Sequence, residues 1–415
     1  MSVSALFTRQ PYKGYTLSQY KVREGHKYEQ RERQSQEQLQ RAIADSSSQS
    51  TSSFSFSSFG PQQRQQHTTK MVSSKDMAPV TSGYLSMFIK AQFLSKSPTI
   101  PKDLDLGGKV AIVTGGNSGL GLESARHMLA LGLSRLVITA RSLERGQAVV
   151  SSLQIANPSA KIDVWLLEME SYQSIRALVQ RCETELSRID IAILNAGLAE
   201  VEFGLASTGH EKVMQVNYLS TMLLVILLLP ILMAKSPTGV TPRVTVVNSI
   251  MSTFAKFPNR DKKPLLPSFD DMEITAWDPA ERYNVSKLLG QLFLSRLADG
   301  VDPEDAVVNM VEPGLTKTGL FRKLRGVAGA IFDLIKSLTA KTAEEGAITY
   351  VDAAAVQGSE SHGGFVVNCE IHPLATYTYE PKAKVVADQL WEETLDEFSF
   401  ANARGILQEI SSRSS

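Results

Sequence analysis

A chain of 415 residues can hold two or three average domains or one large α/β domain, so composition has to decide where folded material lies. Its 43 basic and 43 acidic side chains cancel and form no basic stripe, which argues against nucleic acid or an anionic membrane as partner and leaves small molecules as the default. Two distant cysteines, Cys182 and Cys369, argue against a disulfide framework, and six histidines without HxxxH or HExxH spacing point to no metal; a reducing, cytoplasmic setting fits.

In chain order, the stretch from Gln19 to about Met77 is dominated by Gln, Ser, Arg and Glu ("RERQSQEQLQR", "SSSQSTSSFSFSSF"). It holds too little apolar area to offset ordering at roughly 1 to 2 kcal/mol per residue. Residues 1–98 are therefore expected to be a disordered leader without a secretory signal pattern. Within it, "GYLSMFIKAQFL" (Gly83 to Leu94) is amphipathic enough for one short helix that packs on the domain or touches a membrane surface.

From residue 99 to 415 a single domain is expected, and its register is strongly periodic. "KVAIVT" (Lys109 to Thr114) reads as a strand followed by a helix through "GLESARHMLALG"; "RLVITA" (Arg135 to Ala140) precedes a helix from Leu143 to about Ile155. The alternation continues through "KIDVWLL" and "SIRALVQRCETEL", "IDIAILNAG" and a long helix, "RVTVVNS" and the helix of Tyr283, and "AVVNMVEPG". Strands this apolar are covered on both faces, which predicts an α/β fold: a doubly wound, mostly parallel sheet of about seven strands. The run "MLLVILLLPILM" (Met222 to Met233) has 12 residues, short of the roughly 20 needed to cross a bilayer. It reads as a buried helix or a subunit contact, and the latter would make a homodimer.

"VTGGNSGLGLESA" places Gly115, Gly119 and Gly121 between the first strand and its helix. Without Cβ atoms the backbone can turn tightly and approach a pyrophosphate, whose charge meets free N–H groups and the positive end of the helix. Dinucleotide binding is the reading, with Thr114, Gly115, Asn117, Ser118, Gly119, Leu120 and Gly121 as the turn that would do it. The spacing is TGxxxGxG. With "LNAG" (Leu194 to Gly197), "VNYLS", "VVNSIMS", "YNVSK" and "EPGLTKT" in order, roughly Lys102 to Phe400 resembles the short-chain dehydrogenase/reductase family, and within it the retinol-dehydrogenase-like and fungal secondary-metabolite reductases.

The resemblance implies a Rossmann fold and a catalytic set of Asn217, Ser249, Tyr283 and Lys287. It implies a cofactor floor at Asn195, Ala196 and Gly197, an adenine border at Glu168 and Met169, and a loop over the nicotinamide at Pro313, Gly314, Thr316 and Thr318. Ser249 would bond the substrate oxygen, and Lys287 the nicotinamide ribose. The chemistry is consistent with the residues. A hydride added to a carbonyl carbon builds charge on its oxygen, which a tyrosine can protonate, and a cation at i+4 favours the phenolate. After the second strand a carboxylate would accept from a ribose 2′-hydroxyl, whereas Arg141 suits a 2′-phosphate, so NADP(H) is expected, with Arg145 either a second phosphate partner or a solvated helix residue. The whole reads as a reductase or dehydrogenase of a lipophilic ketone, aldehyde or secondary alcohol. The rivals are a non-catalytic NADP-binding sensor and a peripheral membrane enzyme of retinoid- or sterol-like alcohols. Ser249 and Tyr283 are 34 positions apart, and the segment "TFAKFPNRDKKPLLPSFDDMEITAWDP" between them reads as a loop at the mouth of the site.

Overall fold

The computed structural model describes residues 73–80, 83, 99–316 and 340–413, all of them in one compact unit, Lys70–Ser415. Eight strands form one sheet: β1 (Val110–Val113), β2 (Arg135–Ala140), β3 (Lys161–Leu166), β4 (Ile191–Leu194), β5 (Arg243–Val247), β6 (Val307–Glu312), β7 (Phe365–Val367) and β8 (Glu370–His372). Their order is β3-β2-β1-β4-β5-β6-β7-β8. All neighbours are parallel except β7 and β8, a tight hairpin through Asn368 and Cys369, both at positive φ. That hairpin adds an eighth strand to the seven expected, because its "NC" turn carries none of the usual glycine signal.

β1, β4 and β6 are buried along their whole length, which explains why they read as unbroken apolar runs. On one face lie α1 (Gly119–Ala130), α2 (Leu143–Ala156) and α6 (Ala343–Val351). The other carries α3 (Tyr172–Glu185), α4 (Lys212–Lys235), α5 (Pro279–Ala298), α7 (Ala383–Glu397) and α8 (Ala403–Arg413). α4 holds the run around Pro230. Its apolar window is long enough to cross a membrane by length, yet 83% of that window is buried in the protein, so the run is core.

Two expectations need correction. The leader was expected to extend to residue 98, yet Ser73–Val80 packs on the domain. Ser74 is fully buried, its hydroxyl accepts the Phe365 N–H at 2.9 Å, and its carbonyl accepts from Tyr379. Lys75 donates to the Ser295 carbonyl at 2.6 Å and pairs with Asp299. The segment after Ser249 is also no open loop. Phe257, Leu265 and Phe269 are essentially buried, Glu393 accepts from the Leu265 and Leu266 N–H groups, and Arg282 pairs with fully buried Glu211 at 3.1 Å. Such contacts are tertiary and leave no local pattern. The expected helix at 83–94 lies, apart from Gly83, outside the described residues.

Candidate active site

Between β1 and β4 the order of strands reverses, and in open α/β sheets ligands settle at the carboxyl ends of the strands beside that point. The glycine turn leaves β1 there. Gly115 and Gly119 have φ of +63° and +57°, conformations that glycine adopts without strain. A Cβ on Gly121 would stand 2.6 Å from Asn195 Nδ2 and 2.8 Å from the Gly115 carbonyl, so the third glycine is demanded by packing. Ser118 caps α1 without a side-chain hydrogen bond, leaving the first N–H groups of the helix for an anion.

The loop after β4 is stitched to this turn. Asn195 Nδ2 donates to the Thr114 carbonyl at 2.9 Å, and the Ala196 N–H donates to Thr114 Oγ1 at 3.0 Å. Gly115 N–H reaches Thr139 Oγ1, also at the carboxyl end of β2. Arg141 follows that strand and is exposed, as is Arg145 on the first turn of α2. Glu168 and Met169 lie just beyond β3; Glu168 accepts the Glu170 N–H, and Met169 is buried. The residues present thus fit a dinucleotide: a glycine cradle, a free helix terminus and cations at the outer end.

The four expected catalytic residues converge on the same crevice. Ser249 stands just past β5, and Tyr283 and Lys287 are one turn apart on α5, all less than a tenth exposed. Ser249 lies near enough to the Tyr283 phenol to favour its ionised form. Lys287 Nζ donates to the Val247 carbonyl at 2.8 Å and lies 5.8 Å from the centre of the tyrosine ring. Asn217 sits in a π-turn of α4, Gln215–Ser220; its amide donates to the Leu198 carbonyl and Ser286 Oγ and accepts the Leu198 N–H. A Cβ on Gly197 would meet Asn217 Oδ1 at 3.2 Å and Lys287 Nζ at 3.9 Å, so the glycine keeps this corner open. π-turns of this kind often mark functional sites.

Residues 109–258 match the family described as short chain dehydrogenase. The short chain dehydrogenase/reductase mfmJ of Annulohypoxylon moriforme is 46% identical over 341 residues, covering 81% of this chain and 98% of that protein. The chain is a short-chain dehydrogenase/reductase. The short-chain dehydrogenase fogG of Aspergillus ruber is 40% identical, over 82% of this chain and 99% of its own. A short-chain type dehydrogenase/reductase from Mycobacterium marinum has the same fold, with a TM-score of 0.50 and 19% identity over 67% of this chain and 98% of its own.

For a short-chain dehydrogenase/reductase, the electrostatics of this site depart from the expected picture at one point. Lys287 was expected to bring the tyrosine pKa down. Instead burial, and next the nearby Glu312 carboxylate, push the Tyr283 phenol above its ordinary value, while Ser249 pulls the other way. Burial takes Lys287 down to about 8, against the pull of Glu312. Glu312 is the residue that sequence reading passed over. It stands in "EPG", read there only as the start of a loop, and its pattern is that of any acidic residue at a strand end. In the fold it is 6% exposed, with Oε2 accepting the Ile250 N–H at 2.6 Å and Oε1 the Gly314 N–H at 3.1 Å.

Asn248 also gains a role, donating to the Lys287 carbonyl at 3.2 Å and accepting the Ser249 N–H at 2.7 Å, which fixes β5 against α5. Tyr350, buried on α6, donates to Asn195 Oδ1. Pro313 and Gly314, the latter at φ +77°, follow β6, and buried Thr316 bridges to Lys341. Thr318 lies outside the described residues.

Proposed function

We propose that this oxidoreductase transfers a hydride between NADP(H) and a lipophilic ketone, aldehyde or secondary alcohol. The observation that carries the reading is the meeting of Ser249, Tyr283 and Lys287 at one buried point beside the glycine cradle. When bound, the nicotinamide supplies or accepts the hydride. The protein's part is to hold the substrate oxygen and manage its proton.

Tyr283 is the group that protonates that oxygen. Its phenol, raised by burial, keeps its proton until charge develops on the substrate, which suits the reducing direction. Ser249 is placed to hydrogen-bond the same oxygen, and Lys287, fixed through the Val247 carbonyl, lends positive charge where the phenolate forms. Asn217 holds the floor of the site by tying the Leu198 backbone to Ser286 on α5. Gly115, Gly119 and Gly121, with the free N–H groups at the start of α1, are the pyrophosphate cradle. Arg141, exposed just past Ala140, is the residue that would meet a 2′-phosphate.

Support for a lipophilic substrate comes from two segments that follow the Asn195–Gly197 turn and precede α5. Val201 and Leu205, beyond Gly197, and Met272 and Ile274, before α5, all leave large apolar side chains exposed. The segments are joined by the Trp277 indole, which donates to the Val201 carbonyl and packs edge-on to Phe203. The test is NADPH oxidation by the purified protein across a panel of aromatic and aliphatic ketones and aldehydes. Turnover confined to apolar carbonyls is the expected result, and no turnover of any carbonyl or alcohol with either nicotinamide cofactor would overturn the reading.

A further inference from the structure

The two connections that leave the carboxyl ends of β4 and β5 each run from one residue of the reaction centre to another. Residues 198–216 lead from Gly197 to Asn217, and residues 250–282 lead from Ser249 to Tyr283. They meet at a buried ion pair. Arg282, immediately before Tyr283, puts Nη1 3.1 Å from Glu211 Oε2 and donates from the same nitrogen to the Phe269 carbonyl at 2.6 Å. The two side chains are 3% and 0% exposed.

Glu211 is the N-cap of α4, the helix that carries Asn217. Its carboxylate accepts the Val213 and Met214 N–H groups at 2.9 and 3.1 Å, and its own N–H donates to Asp270 at 2.8 Å. A second tie joins the same two helices behind the tyrosine. Asn217 Nδ2 donates to Ser286 Oγ at 3.1 Å, and Ser286 Oγ donates to the Tyr283 carbonyl at 2.7 Å. Tyr283 therefore sits between two attachments of α5 to α4, and the one through Arg282 also takes in the segment before α5.

Stability is a poor reason for this pair. Burial opposes both charges, raising the Glu211 carboxyl and lowering Arg282. Taking two ions out of water generally costs as much as their contact returns, and apolar side chains of similar volume would hold the same core. Arg282 Nη2 is moreover buried with no hydrogen-bond partner among the described residues, which adds to the cost. What the arrangement supplies is direction. A planar fork tied to acceptors on two segments, with the centres of the Phe269 and Trp277 rings 5.0 and 5.3 Å from its carbon, has little freedom to move.

The geometry points to Arg282 as a positioning residue of the reaction: paired with Glu211 and bonded to the Phe269 carbonyl, it fixes the turn of α5 that carries Tyr283 against the helix of Asn217, and so sets where the tyrosine hydroxyl meets the substrate oxygen. The inference rests on the reductase reading above. Because Arg282 acts through Tyr283, its loss falls on kcat and spares NADPH affinity. A shift of about 1 Å in a reacting group is enough to cost roughly 10²-fold in rate.

Three variants separate placement from stability. Arg282→Met strands the Glu211 charge and is expected to lower both the melting temperature and, by roughly 10²-fold, kcat for carbonyl reduction, with the NADPH dissociation constant unchanged. Adding Glu211→Gln removes the stranded charge and keeps an acceptor for the Val213 and Met214 N–H groups. In that double variant the melting temperature is expected to return toward the wild type while kcat stays low. Arg282→Lys keeps the charge and is expected to regain roughly tenfold of the lost kcat. A kcat that recovers together with the melting temperature in the double variant would reduce Arg282 to a stabilising contact and overturn the proposal, as would NADPH affinity lost in step with kcat.

A spectroscopic measurement needs no substrate and so stands apart from the reductase reading. In the NADPH-bound protein labelled with carbon-13 at the hydroxyl-bearing carbon of tyrosine, the Tyr283 signal is identified by its loss in Tyr283→Phe. It is expected to shift in Arg282→Met and in the double variant. It is expected to stay in place in Asp190→Asn, which weakens a buried pair with Arg188 at the opposite end of the sheet, before β4. An unmoved Tyr283 signal in the Arg282 variants sinks the inference even if no carbonyl is reduced. Should Arg282→Met fail to fold, the double variant and Arg282→Lys decide by the same readings.

Discussion

Lys287 and Arg141 show how differently two cations can serve one site. Lys287 is buried, its ammonium held by one carbonyl and drawn down to about 8, so its charge is available only because Glu312 and the backbone keep it there. Lys287→Ala leaves the Val247 carbonyl unpaired and removes the positive charge beside the phenolate. We expect kcat to fall by roughly 10² or more and NADPH affinity to fall with it, measured by steady-state kinetics and fluorescence titration. Arg141 is exposed, and the contribution proposed for it is to the cofactor. A charge-assisted bond to a 2′-phosphate is worth on the order of 1.5 to 3 kcal/mol, so the wild type should prefer NADPH over NADH by roughly tenfold or more. Arg141→Ala should erase most of that preference while leaving NADH kinetics in place; equal use of both cofactors by the wild type would remove the residue from this role.

Among the elements, those that carry local patterns were legible in the sequence. The glycine turn, the strand-helix alternation and the Tyr283/Lys287 spacing are short-range regularities, and each lies where the fold needs it. What stayed hidden depends on tertiary contact. Nothing near Glu312 announces that its carboxyl will be buried and bonded to the Ile250 and Gly314 N–H groups, and "NRDKKPLLPSFDD" reads as a charged loop although Arg282, Glu211 and Glu393 tie its neighbourhood into the core. The necessity of the third glycine is also visible only in three dimensions. Gly121→Ala would drive a methyl into Asn195 and the Gly115 carbonyl, and we expect roughly 1 to 3 kcal/mol lost in denaturant unfolding together with weakened NADPH binding. His210, at the entry to α4, bonds to Asp270 and lies 3.3 Å from Glu397. Burial opposes its charge, but those two carboxylates prevail and raise it to about 9. A raised folded-state pKa stabilises fully below about 6.5 and loses that contribution as pH rises through about 9. The melting temperature of the wild type should therefore exceed that of His210→Gln most at acid pH, with the gap closing above about 9.

For the whole molecule, the folded unit begins before the point where the periodic register starts. Ser74 fills the one hydrogen bond that the Phe365 N–H can make at the start of β7, and Tyr379 and Thr376 hold the same strap through the Ser74 and Val80 carbonyls. A chain starting at Met71 is expected to melt with the full-length protein and to match its turnover. One starting at Thr99 strands a buried N–H and should lose roughly 1 to 3 kcal/mol. Equal unfolding midpoints for the two truncations would show that the strap is passive.

The central claim is that Tyr283 supplies the proton, and one substitution reads it directly. Tyr283→Phe deletes a single hydroxyl from a buried ring and leaves the glycine cradle, Arg141 and Lys287 in place. On a carbonyl that the wild type reduces, kcat is predicted to fall by roughly 10² or more while the NADPH dissociation constant stays unchanged. Near-normal turnover by Tyr283→Phe would contradict the account.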